Sequence, residues 1–247
     1  MKYISNIATQ PQTKRAELAK QIAVHVAGHA AAICLFNPHW RLPPVFFQIN
    51  KQSAVPLTSD WPVKITLEDG LLIQNLPTSL ELAVSDFSME QKRGYERAFS
   101  ADIINLLAGP MAEAHYVALR EGKKFESAKI SLAALENFGG CIDLALVHEY
   151  LNCLGYDPIT KHQKTQQLIS ATARFVSSRS KWRAISELAK HILQSPKTII
   201  DCGEANAVLT AANRMKPLIS FAKQGRANAD QCGAFDDSRL QIAGHAE

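Results

Sequence analysis

Apolar residues recur at a helical interval through residues 18–36, LAKQIAVHVAGHAAAICLF. Leu18, Ile22, Val26, Ile33 and Phe36 keep close to the period, and Gly28 is the only helix breaker. This predicts a long first helix from about Thr13 to just before Asn37-Pro38, because proline disfavours helical geometry in the residue ahead of it. A second helical pattern covers about 89–121, with Tyr95, Phe99, Ile103, Leu106, Leu107, Met111 and Ala114 three or four apart. Gly109-Pro110 should kink or briefly break it. Further helices are expected at SLAALENF (131–138), 141–154, 160–179, 181–194 and 202–214. In 181–194, Trp182, Ile185, Leu188, Ile192 and Leu193 share one face, a core stripe without cofactor chemistry.

Between the first two helices the pattern changes. VFFQIN (45–50) is aromatic and β-branched, and PVKITL (62–67) alternates apolar and polar residues. Asp69-Gly70 then leads into LLIQNL (71–76), which reads as a hairpin partner. Pro43, Pro44, Pro56 and Pro62 punctuate the stretch, so irregular loops are the rival to a small, mostly antiparallel sheet. The fold class expected is mainly α (α+β), a helical domain over 13–216 with a small inserted β-sheet. Residues 1–12 read as a loose leader, and 217–247 as a tail or loosely attached segment without periodicity.

Composition narrows the function class. The chain has 247 residues, 47% hydrophobic and 20% charged, enough for a sizeable core. The net charge of +4 is spread out, which argues against nucleic acid or a polybasic membrane contact as partner. Five cysteines without a CxxC pair suit reduced thiols in a cytoplasmic protein. The start, MKYISNIATQPQ, has no apolar core of a signal peptide, and no unbroken run of apolar residues predicts a membrane segment.

The candidate chemistry lies in His25-Val26-Ala27-Gly28-His29. On a helix, residues four apart project from one face, so both imidazoles can approach one ion. This is the metal-binding half of the H-E-x-x-H signature of zinc peptidases, with Val26 in the glutamate's place. The alternative is a buried helix carrying two hydrogen-bonded histidines. Gly28 and its small neighbours would let another element come close beside such a site.

Four collinear segments carry a resemblance. They are His25–His29 with its small residues, LLAGPMAEAHY (106–116), FGGCIDLALVHEYLNCLGYD (138–157) and WRAISELAKHILQSPKTIIDCGEANAVL (182–209). Over roughly 15–213 the chain resembles the zinc-peptidase domain of the membrane-anchored AAA+ proteases of the FtsH type, a zincin-like helical fold. The resemblance implies Asp143 as third zinc ligand beside His25 and His29. It also implies Glu113 as the carboxylate that orients a liganding histidine. Without it, Asp143 would read as a first-turn carboxylate facing a helix dipole, and Glu113 as a surface charge.

Two departures follow. Val26 can neither accept a proton nor hydrogen-bond a water, and loss of a positioned general base typically costs about 10²–10⁴ in rate. There is also no G-x-x-x-x-G-K-[ST] phosphate loop, hence no ATP site in this chain. The leading expectation is a stand-alone, catalytically silenced zinc-peptidase-like domain that binds an unstructured polypeptide or a protein partner. One alternative is an active zinc metalloendopeptidase with its base elsewhere, for which Glu113, Glu149 or a carboxylate of the substrate are the candidates. The other is a metal-free helical interaction protein. An oligomer is compatible with each.

Overall fold

A computed structural model describes residues 9–53, 63–126 and 130–215, and 9–215 belong to one compact unit. The expected tail, 217–247, lies outside the described residues, as do 1–8 of the expected leader.

The first helix, α1 (Thr9–Ala31), continues as one π-helical turn, Ala32–Phe36, and one 3-10 turn, Asn37–Trp40. It therefore starts earlier than the pattern suggests, with Pro11 in its first turn, where the missing N–H breaks no helical bond. Helical winding also carries past Asn37-Pro38, because proline sits in the first turn of the 3-10 segment. Arg41, in left-handed geometry (φ 55°), ends it. The span Lys14–Trp40 is by length and composition long and apolar enough to cross a membrane, a test that a buried core helix also passes. More than half of its apolar window is buried inside the protein, where α1 packs on α3 and α7.

The sheet has the order β2-β1-β3, all antiparallel, from β1 (Phe47–Ser53), β2 (Val63–Asp69) and β3 (Ile199–Asp201). Phe47 pairs with Asp69, Ile49 with Leu67, and Ile49 on its other side with Ile200. Phe47, Ile49, Ile65 and Ile200 bury one face into the core. The expected partner of 62–67 is thus corrected: residues 71–76 form no strand. The backbone N–H groups of Leu72 and Ile73 donate instead to the carboxylate of Asp102, at 2.8 Å each, so they are unavailable to a ladder.

Seven further helices lie among the described residues. They are α2 (Leu80–Ala83), α3 (Met89–Arg120), α4 (Leu132–Leu135), α5 (Cys141–Cys153), α6 (Pro158–Ser177), α7 (Arg179–Gln194) and α8 (Cys202–Arg214). Helix α3 opens on a capping box, Ser88 with Gln91, and runs through Gly109-Pro110 without the expected break. Its stretch 99–112 is buried throughout, so tertiary packing holds the helix across the lost hydrogen bond. The core stripe of α7 lies as expected, with Ile185, Leu188 and Ile192 fully buried.

Helices α1 and α3 approach unusually closely. A Cβ at Gly28 would stand 2.5 Å from the carbonyl oxygen of Ala108 and 2.8 Å from the Cβ of Ala112. Only glycine permits that crossing, and it sets α1's next turn, with His29, against α3.

Candidate metal centre

Three helices each contribute one part of a polar cluster in this crossing. Helix α1 supplies His25 and His29, whose ring centroids are 4.9 Å apart. Helix α3 supplies Glu113 and the backbone of Asn105, and the first turn of α5 supplies Asp143. The turn before α5 is built on Gly139, at φ +69°. A Cβ there would lie 2.9 Å from Glu113 Oε2 and 3.3 Å from His25 Nδ1, so the glycine lets the turn press against that pair.

Each imidazole is held at Nδ1 and presents Nε2. His25 Nδ1 lies 3.1 Å from Glu113 Oε2, and His29 Nδ1 donates to the backbone oxygen of Asn105 at 2.7 Å. Both Nε2 atoms then face a single oxygen: Asp143 Oδ2 is 3.1 Å from His25 Nε2 and 3.6 Å from His29 Nε2. The three potential ligand atoms all lie within 4.8 Å of one another. In a tetrahedral zinc site with ligand bonds of about 2.0–2.1 Å, neighbouring ligand atoms stand about 3.3–3.4 Å apart. The two measured separations bracket that value.

The charges point the same way. Burial alone would lower the pKa of His25, but its hydrogen bonds to Asp143 and Glu113 outweigh this and raise it to about 9. Burial alone would raise Asp143, but the imidazoles of His29 and His25 hold its carboxyl well below the usual carboxylate range. A cluster with two half-buried carboxylates and two imidazoles favours positive charge at its centre, as a proton or as a metal ion. His25, His29 and Asp143 could hold a metal ion.

Compared with protein-family models, curated proteins and solved structures, the chain matches none.

The remaining candidates fall into place by burial. Val26 is buried in the apolar core, with only 4% of its surface exposed, and brings no polar atom to the cluster. Glu149 is exposed on α5, six residues beyond Asp143, which places it about 9 Å further along the axis and on a different face. The structure does not bring it to the cluster. Glu113 is brought there, through His25. Two contributors were not anticipated. The Asn105 carbonyl is a backbone atom and has no signature in the sequence. Gly109 reads as a helix breaker, yet a Cβ on it would overlap the imidazole of His29, 2.6 Å from Cε1. The glycine clears space for the second histidine.

Proposed function

We propose that the chain is a zinc-binding, peptidase-like domain of the FtsH type that has lost its hydrolytic base and retains a polypeptide-binding role. The observation that carries the reading is the double anchoring of the histidines. With both Nδ1 atoms held by oxygen acceptors, both Nε2 lone pairs are free to converge on one point with Asp143. The positive charge that draws two imidazoles to one carboxylate oxygen can be a proton, and a metal ion in its place would use both Nε2 atoms at once. The order of elements also supports it: a histidine helix, a small sheet, the Glu113 helix, and a glycine turn leading to Asp143.

A zinc ion held by these three ligands would leave one coordination position open and would acidify a water there. Among the described residues, none of the candidate bases is free beside that water. Val26 is apolar and buried, Glu113 is engaged by His25 at 3.1 Å, and Glu149 is exposed elsewhere on α5. Binding can survive this loss. Strand β2 pairs on one side with β1 and has no strand on its other side among the described residues, and it packs on α1. An extended polypeptide can add there by backbone hydrogen bonds without being cut.

The test has two parts. Zinc titration should saturate at about one ion per chain, and His25→Ala or Asp143→Ala should each abolish stoichiometric binding. The zinc-loaded protein should leave casein uncut, whereas Val26→Glu should gain chelator-sensitive cleavage, at some loss of thermal stability because a carboxylate enters a buried position. Robust wild-type cleavage abolished by His29→Ala would overturn the silenced reading, and absence of zinc binding would overturn the metal centre itself.

A further inference from the structure

The side of α1 turned well away from its histidine face lines a groove that the metal centre does not use. Lys20 and Val24 from α1, Arg120 from α3, and Trp182, Lys190 and Leu193 from α7 surround about 530 Å³. Val24, Trp182 and Leu193 make an apolar floor. Lys20, Arg120 and Lys190 stand on three different helices at its rim, and no Asp or Glu lines it. From Trp182 to Leu193 the α7 wall runs about 16 Å, three helical turns.

The floor is set in advance. The Trp182 ring stacks on His115 at a centroid distance of 4.3 Å and an interplanar angle of 20°, and His115 rests in turn on Phe125 at 4.6 Å. A large aromatic held this way loses little freedom when covered, the quality that makes tryptophan a frequent anchor at interfaces. Two rim cations have acidic neighbours, Glu17 at 2.8 Å and Glu121 at 3.3 Å for Arg120, and Glu187 at 2.6 Å for Lys190. These pairs are solvent-exposed and exchange one carboxylate for another at little cost. Lys20 is exposed and makes no ion pair among the described residues.

We propose that this groove takes an acidic amphipathic helix of a partner protein, with its apolar face on Trp182 and Leu193 and its carboxylates over Lys20, Arg120 and Lys190. A fatty acid, with one head group, would use one of these cations and leave the others without a role. A nucleic acid would have no use for the apolar floor. A helix with anchors at successive turns answers both the length and the spread of charge.

The experiment uses the full chain and two fluorescein-labelled synthetic helical peptides of about four turns. They share one leucine face and carry flanking glutamates in one and lysines in the other. The glutamate peptide should bind at least about tenfold more tightly, with affinity falling as salt rises. A Lys20→Glu/Lys190→Glu variant, changed at two exposed positions and checked for folding by circular dichroism, should reverse the preference. Equal binding of both peptides, no binding of the glutamate peptide, or an unchanged preference in the variant would overturn the proposal. So would sodium laurate that saturates at one per chain and excludes the glutamate peptide.

Discussion

Gly109 of α3 lies directly under the imidazole of His29, at a point where a Cβ would stand 2.6 Å from Cε1 and closer still to Nε2. The atom that would be struck first is the one that faces Asp143. Gly109→Ala should therefore displace His29 and weaken zinc binding by about 10–100-fold, the range in which disturbed ligand orientation falls. Alanine also gains about 1 kcal/mol of helix propensity over glycine, which partly offsets the steric cost to the fold. A competition titration against a chromophoric chelator would separate the two effects, since circular dichroism should stay near wild type while affinity drops.

Glu113 acts one bond further out, through His25 Nδ1 at 3.1 Å. Glu113→Gln keeps an oxygen that can accept the same hydrogen bond but removes the charge that strengthens the imidazole as a donor. Glu113→Ala removes both. The expected order of zinc affinity is wild type, then Gln, then Ala, with the alanine variant weaker by about 10–100-fold. Equal affinity in all three would remove Glu113 from the site. His25→Ala serves as the control in which a ligand itself is gone.

The residues legible in the sequence are those whose chemistry and spacing act together. His25 and His29 announce themselves because a four-residue interval has one meaning on a helix. Gly28 signals a close approach because glycine is costly inside a helix, and Ala108 and Ala112 prove to be the neighbours. Asp143 has no such signal, since a carboxylate in a first helical turn is commonplace; only the resemblance singled it out. The carbonyl of Asn105 and the space over Gly109 belong to the packing of α3 on α1, which no local pattern encodes. The misread partner strand has the same origin. LLIQNL has the residues of a strand, and what prevents one is a carboxylate some 30 positions away.

That carboxylate, Asp102, is fully buried on α3 and also accepts the Tyr150 hydroxyl of α5 at 3.0 Å. It therefore ties the segment after β2 to α5, the helix that carries Asp143 in its first turn. Burial raises its pKa, while the bonds from Leu72, Ile73 and Tyr150 oppose the rise. Asp102→Ala would leave the Leu72 and Ile73 N–H groups without their acceptor, at about 1–3 kcal/mol each, and would reduce the Tyr150 hydroxyl to the Ile73 carbonyl at 3.4 Å. Urea unfolding should show a loss of more than about 3 kcal/mol, large for a single polar substitution. Asp102→Asn retains one oxygen acceptor and should lose less. If the two variants were equally stable, the backbone bonds to Asp102 would not hold this junction.

His115 supplies a pH dependence of known sign. It is buried between Phe125 and Trp182, its Nδ1 has no hydrogen-bond partner among the described residues, and burial pushes its pKa down from 6.5 to about 4. The folded state therefore prefers the neutral ring, and the unfolded chain takes up a proton more readily. The stabilisation is fully present above about pH 6.5 and is lost as pH falls through that value towards 4. Thermal unfolding followed between pH 7.5 and 4.5 should show a falling midpoint across this window. His115→Phe keeps an aromatic ring in the stack and cannot titrate, so its midpoint should fall less steeply over the same range. Groups elsewhere would affect both proteins alike, and the difference between the two curves isolates His115. Parallel curves would mean that the ring is not held neutral by the fold. A difference that grows towards high pH would reverse the sign and place a charged imidazole in the stack.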